Sequence, residues 1–370
     1  MPPVPTDITF FFLAASFILT AGFSPLTIVF LKKFGVTRHD EKDISSFISG
    51  RKEKTGTPIM GGLLIVLVVS ALTILFNWHR ESTYVPIGVF LLSALLGGAD
   101  DLLNIFYHKP RPVRTLGRVM RLIRTHKSVL KRIEYTALLP WHAYKRFFYL
   151  LGSHPGSGIQ AHEKIIAQFI TGVIIAWWLS FKIEWTEIWI PWIGHLDLGL
   201  WIIPIIVFLV MFMANAVNIS DGIDGLSAGS LILAYGAYFI IAIQQGSAEI
   251  TFLLAAIIGA LAGYLLFNIK PAKYQMGDVA SLGLGVLLCA VAFALDRAIL
   301  LPLIGGVFFL EIGTVLLQTF WKVVLGKRLL RMAPLHHHLE LKGWSEATIV
   351  MYSWALAGTL SAIGIWLSFH

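Results

Sequence analysis

Residues 198–229 read LGLWIIPIIVFLVMFMANAVNISDGIDGLSAG, and this stretch decides the class of fold. Its first eighteen residues carry no charged side chain, whereas its second half gathers asparagines, aspartates and glycines. A helix that spans the hydrocarbon core of a bilayer needs about 20 mostly apolar residues. The first half therefore predicts a membrane-spanning helix, and the second half predicts a polar site at the end of that helix.

The same pattern extends over the whole chain of 370 residues, of which 56% are hydrophobic and only 14% are charged. A soluble domain carries about 25% charged residues, so an ordinary soluble globule is excluded. Nine further apolar runs lie at 8–31, 61–76, 85–98, 165–181, 226–243, 250–267, 279–295, 300–321 and 347–369. We therefore predict an all-α polytopic membrane protein of about ten transmembrane helices, with residues 1–370 forming one integral-membrane domain.

The basic residues predict the orientation of these helices. Of the 29 Lys and Arg residues, 26 fall in the connections after the first, third, seventh and ninth runs. By the positive-inside rule these connections face the cytoplasm, and both termini lie outside. The net charge of +8 is then explained by loops beside an anionic membrane surface, and we expect no nucleic-acid partner. The lone Cys289 excludes a disulfide framework.

Five polar segments interrupt the apolar pattern, and all five fall on the predicted cytoplasmic face. They are KTGTPIMGG at Lys54–Gly62, GGADDLLN at Gly97–Asn104, NAVNISDGIDGLSAG at Asn215–Gly229, NIKPAKYQMGDVASL at Asn268–Leu282 and RMAPLHHHLELKGW at Arg331–Trp344. Scattered helix caps would not segregate to one face. We therefore expect an active-site cleft at that face.

The aspartates in these segments suggest a cation. Asp100 and Asp101 are costly beside the hydrocarbon boundary unless a cation or a donor compensates them. Asp221 and Asp224 are three apart, which predicts a shared helix face. Asp278 begins a span, where its carboxylate suits either a helix N-cap or an oxygen ligand of a divalent cation.

Three consecutive histidines, His336, His337 and His338, lack the HxxxH and HxH spacings of a zinc site, so we interpret them as imidazoles lining an anionic substrate. Mg²⁺ favours one or two carboxylates together with substrate phosphates. The residues alone thus indicate a metal-dependent transferase of a phosphoryl or phosphosugar group to or from a lipid.

At the same segments the chain resembles the polyprenyl-phosphate N-acetylhexosamine-1-phosphate transferase superfamily. The Asp pair and NAVNISDGIDGL resemble the whole superfamily, and APLHHHLELKGW resembles its phospho-N-acetylmuramoyl-pentapeptide transferase branch. The resemblance implies that UDP-N-acetylmuramoyl-pentapeptide and undecaprenyl phosphate give lipid I and UMP in peptidoglycan synthesis. It also implies Mg²⁺, the bacterial plasma membrane and a homodimer.

Site residues follow from the resemblance by motif position. Asp278 corresponds to the metal ligand, and Asp100 to the group that deprotonates or orients the lipid phosphate. The rest of the polar cleft corresponds to Asp101, Asn215, Asn218, Asp221, Asp224 and Asn268. Groups that hold the phosphates and the sugar correspond to Lys54, Lys164, His336, His337 and His338. The chain departs from the family at Asn104 and His162, where Lys and Arg are usual, and at Gln275, where Phe is usual.

The largest departure is a basic and aromatic insertion at residues 107–162, predicted to be cytoplasmic. Arg114, Arg118 and Arg121 would share one face of a helix, opposite Leu116, Val119 and Ile123, which favours a helix in the headgroup plane of anionic lipid. A solvated charged hairpin is the alternative. The insertion also contains an aromatic run suited to the membrane interface, formed by Trp141, Tyr144, Phe147, Phe148 and Tyr149.

Two other functions stay open at this point. A sister transferase would move a different N-acetylhexosamine 1-phosphate to a polyprenyl phosphate, and the HHH segment disfavours it. An ion-coupled secondary transporter would place carboxylates near span midpoints and show internal repeats. Here the carboxylates crowd one face, and no repeat is evident.

Overall fold

The structure is a computed structural model that describes residues 4–38, 55–79, 82–106, 116–150 and 159–370. The side chains of residues 149 and 150 are outside that description. Lys54 and two parts of the insertion, 107–115 with Arg114 and 151–158, therefore lie outside the described residues.

The described part of the chain contains fifteen α-helices. They are α1 (Thr6–Lys33), α2 (Leu63–Phe76), α3 (Tyr84–Phe106), α4 (Leu116–Thr125), α5 (Val129–Ala137), α6 (Leu139–Leu150), α7 (Ala161–Trp177), α8 (Ile202–Ser220), α9 (Leu226–Gln244), α10 (Ala248–Asn268), α11 (Asp278–Ala294), α12 (Leu301–Ile304), α13 (Gly306–Leu325), α14 (Leu335–Glu340) and α15 (Glu346–Leu367).

Ten of these elements coincide with the ten predicted apolar runs. Within the described ranges, eight helical segments are long and apolar enough to cross a membrane, and α2 and α11 are shorter apolar helices of 14 and 17 residues. The prediction of an all-α polytopic membrane protein is thus confirmed. It needs one addition, a hairpin of two four-residue strands, β1 (Glu187–Ile190) and β2 (Gly194–Asp197), in the connection before α8.

Helix α11 forms the centre of the bundle. Every residue from Val279 to Phe293 is buried, and the helix packs against α3, α8, α2 and α9. A helix that is apolar on all sides is stable only when neighbours cover every face. Because α11 is enclosed by protein, its first residue, Asp278, lies at the end of the core and beside the surrounding helices.

The crossing of α3 and α11 brings two polar segments together. At Gly97 a Cβ atom would collide with the backbone carbonyl of Asp278, so only glycine permits this approach. Asp100 and Asp101 follow one turn later on α3, which extends to Phe106. These aspartates therefore lie on a helix at the level of Asp278.

The described part of the insertion forms three short helices, α4, α5 and α6, which contact one another, and α6 also contacts α7. On α4, Val119 is fully buried while Arg118 and Arg121 are exposed, as expected for an amphipathic helix. Three members of the aromatic run have a partner within the protein. Trp141, Tyr144 and Phe148 pack against His162 at the start of α7, because these positions share one face of α6.

Candidate active site

The centre of the candidate site is a lysine that joins two aspartates from different helices. Lys164, in the first turns of α7, places its Nζ 2.6 Å from Asp100 Oδ2 on α3 and 2.7 Å from Asp278 Oδ2 on α11. Asp100 is also held by the backbone N–H of Ile159, which donates to Oδ1 over 2.5 Å, and by Asn104. Three helices are thus linked through three atoms, Lys164 Nζ, Asp100 Oδ2 and Asp278 Oδ2.

Two asparagines of α8 extend this network. Asn218 donates through Nδ2 to Asp278 Oδ1 over 2.7 Å, and the same nitrogen lies 2.9 Å from Ser281 Oγ. Asn215, one turn earlier on the same face, exchanges hydrogen bonds with Gln168 on α7. The network therefore runs along the boundary between α7, α8 and α11.

Asp101 faces away from Lys164 and holds the beginning of α11. Its Oδ2 accepts a hydrogen bond from the backbone N–H of Val279 over 3.0 Å, and Asp221 Oδ2 accepts from the N–H of Gly277 over 3.3 Å. The first N–H groups of a helix have no partner within the helix, and carboxylates supplied here from α3 and from the end of α8 satisfy two of them. The N-cap interpretation of Asp278 is wrong, because Gly277 occupies the cap and the Asp278 side chain points into the network.

The prediction that Asp221 and Asp224 share a helix face is also wrong. Helix α8 ends at Ser220, and both aspartates lie in the turn before α9, which begins after Gly225 in a left-handed conformation. Asp224 accepts from the N–H of Ala272, and Asn268 bonds the backbone of Gly225 and of Tyr274. Asp224 and Asn268 thus fix the loop before α11.

The three histidines lie on the short helix α14 and point in different directions. His336 is fully buried, with Nδ1 3.0 Å from Glu311 Oε2 on α13. His337 pairs with Glu340 over 2.6 Å, and His338 Nδ1 accepts from the backbone N–H of Arg331. Burial lowers the pKa of His338, and the charges of Lys342 and Arg331 lower that pKa further, so this imidazole is neutral at neutral pH.

One nitrogen of His336 is left over. Among the described residues its Nε2 is buried and has no hydrogen-bond partner. It lies against the turn between α8 and α9, since a Cβ at Gly222 would be 2.6 Å from it. Because Gly222 has no side chain, the Nε2 atom of His336 can approach the turn that contains Asp221. This approach joins the HHH segment to the rest of the site.

The first polar segment joins the site through its backbone. The N–H groups of Gly61 and Gly62 donate to the carbonyls of Gln275 and Met276 over 2.8 and 2.9 Å. Arg38 donates to Gln275 Oε1 over 3.3 Å. Residues 55–62 thus pack beside the loop that leads to Asp278.

Sequence reasoning missed several side-chain partners, among them Arg38, Gln168, Ser281 and Glu311. Two of them carried a usable signal, because Gln168 is four residues after Lys164 and Ser281 is three residues after Asp278, spacings that put side chains on one helix face. Arg38 and Glu311 stand outside the polar segments, and only the packing of distant elements reveals them.

The charges of the site suit a magnesium ion that arrives with phosphates. Within the described residues, no three His, Cys, Asp or Glu side chains are arranged to hold a metal by themselves. Mg²⁺ does not require such a cage, because it is commonly bound by one or two carboxylates and by substrate phosphates. Asp100 and Asp278 share the single charge of Lys164, so one negative charge remains to attract a cation.

Comparisons with known proteins agree with the geometry. Residues 156–296, which include Lys164, both asparagines of α8 and Asp278, match the family model described as glycosyl transferase family 4. Curated relatives called phospho-N-acetylmuramoyl-pentapeptide-transferase match nearly the whole chain. The Geobacillus thermodenitrificans protein is 33% identical over 98% of this chain and 99% of its own length, and the Levilactobacillus brevis protein is 30% identical over 96% and 97%.

Proposed function

Because the chain belongs to the phospho-N-acetylmuramoyl-pentapeptide transferase family, we propose that it transfers phospho-N-acetylmuramoyl-pentapeptide from its UDP derivative to undecaprenyl phosphate. The products are lipid I and UMP. The single observation that carries the proposal is the Lys164 bridge between Asp100 and Asp278. In this bridge the Lys164 ammonium group lies between two carboxylates where three helices meet. An ammonium group at this position is suited to binding phosphate oxygens.

We propose that the reaction is a direct displacement. An oxygen of the lipid phosphate forms a bond to the β-phosphorus of the nucleotide sugar, and the bond from that phosphorus to the bridging oxygen breaks as UMP leaves. The second pKa of a phosphate monoester is near 6, so the attacking phosphate is already mostly a dianion at neutral pH and needs little base catalysis. Asp100 then orients the lipid phosphate rather than ionising it.

Repulsion between the two phosphate groups is the main barrier that the protein must reduce. Lys164 offers an ammonium group to phosphate oxygens at the junction of α3, α7 and α11. Asn218 keeps the Asp278 carboxylate in place through Oδ1. Asp101 and Asp221 position this carboxylate indirectly, because they hold the first turn of α11.

We propose that Mg²⁺ is required and that Asp278 would hold the ion. A bound magnesium ion would supply positive charge that stabilises the UMP leaving group. His336 and the two histidines after it would contact the soluble substrate, and the buried Nε2 of His336 next to the Asp221 turn supports that assignment.

The chain is a multi-pass membrane protein, and we propose that the site faces the cytoplasm with both termini outside. The distribution of Lys and Arg supports this orientation. The proposed partners are the nucleotide-sugar peptide, undecaprenyl phosphate and membrane lipids. We also propose a homodimer, for which the resemblance to the family is the support.

The function is tested by incubating the purified protein with UDP-N-acetylmuramoyl-pentapeptide, undecaprenyl phosphate and Mg²⁺ and measuring UMP. We expect release that depends on both substrates and that stops when EDTA removes divalent cations. A parallel reaction with UDP-N-acetylglucosamine should release no UMP. Release from UDP-N-acetylglucosamine alone would assign the chain to a sister transferase instead.

A further inference from the structure

The insertion ends beside the candidate site, and its last helix encloses one residue of α7. His162 is fully buried, and three rings of α6 surround it. The ring centroids of Trp141, Tyr144 and Phe148 lie 5.2, 6.1 and 6.2 Å from that of His162. We call these three side chains the α6 aromatic cluster.

The α6 aromatic cluster is ordered by internal contacts as well. Trp141 stacks on Tyr144 at 5.5 Å, Tyr144 meets Phe148 edge-on at 5.0 Å, and Lys145 Nζ lies 5.0 Å from the Trp141 ring centroid. The Tyr144 hydroxyl also donates to the backbone carbonyl of His162 over 3.1 Å. Partial burial raises the pKa of Tyr144, so the phenol keeps the proton that it donates.

His162 and Lys164 lie on opposite sides of α7. Two residues along an α-helix correspond to a rotation of about 200°, so when His162 faces α6, Lys164 faces the interior of the bundle. There it reaches Asp100 and Asp278. Contacts on the outer side of the first turn of α7 therefore fix the backbone position from which the Lys164 side chain extends.

The inner side of the same turn is tied to α3. The N–H of Ile159 donates to Asp100 Oδ1 on α3. Within the turn itself, the N–H of Gln160 donates to Glu163 Oε2. Residues 159–164 are thus held between α3 on one side and α6 on the other. A lysine has four rotatable bonds and loses side-chain entropy when it is ordered, so a fixed backbone lowers the further cost of placing its Nζ.

From this arrangement we propose that Trp141, Tyr144 and Phe148 are positioning residues for the transfer reaction, acting through the first turn of α7 on Lys164. The proposal rests on the proposed function for its kinetic part. On this proposal the aromatic side of the insertion contributes to turnover, whereas the exposed arginines of α4 lie on another surface.

The test compares Trp141→Ala and the conservative Trp141→Phe in the full-length protein in neutral detergent. Misplacement of a reacting group by about 1 Å costs up to about a hundred-fold, so we expect Trp141→Ala to lower kcat about ten-fold or more, with the KM values of both substrates within about two-fold. Trp141→Phe should restore most of kcat. Arg146→Ala is the control, because Arg146 is on the same helix, exposed and outside the α6 aromatic cluster, and it should leave kcat unchanged.

Two further measurements separate positioning from a general loss of structure. Amide hydrogen exchange should accelerate in the first turn of α7 in Trp141→Ala, and exchange in α8 and α11 should stay as in the parent protein. In a Lys164→Arg background with residual turnover, adding Trp141→Ala should lower kcat no further, since the cluster acts through position 164.

Several outcomes would overturn the proposal. Unchanged kcat in Trp141→Ala despite faster exchange in α7 would show that turnover does not depend on the cluster, and unchanged exchange would show that the cluster does not hold the turn. A fall in kcat of equal size in the Lys164→Arg background, or a loss of protection throughout the bundle, would also contradict it. Absence of turnover in the parent protein would instead count against the proposed function, and hydrogen exchange would still decide whether α6 holds α7.

Discussion

At the scale of single residues, the adjacent Asp100 and Asp101 serve different neighbours. Consecutive helix positions point about 100° apart, so Asp100 meets Lys164 while Asp101 reaches the backbone N–H of Val279. Asp278 and Asp221 also have different roles. Asp278 belongs to the Lys164 network, whereas Asp221 accepts a hydrogen bond from the backbone N–H of Gly277. Carboxylates that look equivalent in the sequence are thus divided into those that can meet phosphate and those that hold backbone.

Asp278→Asn should keep the fold and lose nearly all turnover. The amide is nearly the same size as the carboxylate, but it removes the negative charge that faces Lys164 at 2.7 Å and that would bind Mg²⁺. We expect kcat to fall at least about a hundred-fold with a melting temperature close to that of the parent protein. Asp197→Asn in β2 is the control and should be fully active. Normal magnesium-dependent UMP release by a folded Asp278→Asn protein would refute the metal-ligand assignment.

His336→Ala should impair use of the nucleotide sugar more than use of the lipid phosphate. Loss of a hydrogen bond to a charged group costs about 1.5 to 3 kcal/mol, which is roughly ten-fold to a hundred-fold in KM. The same substitution leaves the buried Glu311 without its histidine, so the protein should also be less stable.

The double variant His336→Ala/Glu311→Gln separates the two effects of losing His336. It should recover stability, because the unpaired buried charge is gone, while the KM for the nucleotide sugar stays high. Recovery of both quantities would mean that His336 serves only to pair with Glu311, and a rise confined to the KM for undecaprenyl phosphate would move the histidine to the lipid site.

At the scale of elements, the insertion has two faces with different chemistry. Its aromatic face packs on α7, whereas Arg118 and Arg121 on α4 are exposed, as are three apolar side chains of the neighbouring α5, Val129, Leu130 and Ile133, at 61–80%. Basic and apolar side chains on one surface favour binding to anionic lipid headgroups. The exposed apolar residues of α5 therefore add to the reasons for expecting the insertion to contact lipid.

Replacing Arg118 and Arg121 with Gln should weaken contact of the insertion with anionic membranes. Each basic residue near the surface contributes about 1 kcal/mol, and salt screens this attraction. A fluorophore on Leu130→Cys reports the contact, because the native Cys289 is buried. Its emission should shift to the blue in anionic nanodiscs at low salt, and less so in the double-Gln protein or in zwitterionic nanodiscs.

Turnover of the double-Gln protein in neutral detergent should be unchanged, since neither arginine belongs to the α6 aromatic cluster. An identical blue shift in zwitterionic nanodiscs would argue against the electrostatic part of this interpretation. Loss of turnover in detergent with the blue shift intact would place the arginines at the active site or at a partner interface.

At the scale of the whole molecule, two groups of polar and charged residues lie at opposite ends of the bundle. The Lys164 network, the histidines and the insertion lie at one end, and the β1–β2 hairpin lies in a connection that the charge distribution places at the other. At the hairpin, His195 Nδ1 lies 3.4 Å from both Glu187 and Asp296, and Arg297 stacks on Trp189 at 3.7 Å. Burial raises the pKa of Asp296, while the charges of His195 and Arg297 act to lower it.

Single cysteines test the orientation of the bundle. Ile193→Cys in the hairpin turn, which is 73% exposed, should react with a membrane-impermeant maleimide on intact spheroplasts. Thr125→Cys at the end of α4 should react only after the membrane is opened, because we place the insertion in the cytoplasm. The parent protein, with its buried Cys289, is the blank. The reverse pattern of labelling would invert the topology and place the active site outside.

The sequence by itself determined the class of fold and the polar segments. Ten apolar runs, sparse charge and basic connections indicate a bundle of membrane-spanning helices, in which the backbone groups are satisfied within each helix. The segments around Asp100, Asn218, Asp278 and His336 stand out because polar residues at span ends are costly unless they are used. The family resemblance rests on those same residues, so it too was available without coordinates.

Only the tertiary structure decided which polar atoms face each other. Nothing local in the sequence distinguishes Asp100 from Asp101 or places Glu311 behind His336, because those pairings depend on the rotation and crossing of helices far apart in the chain. The turn at 221–225 was mistaken for a helix face because a three-residue spacing does not reveal where a helix stops. The role of the aromatic run was missed for a related reason: an aromatic stripe suits a membrane interface and a packed helix equally, and only the position of α6 against His162 separates the two.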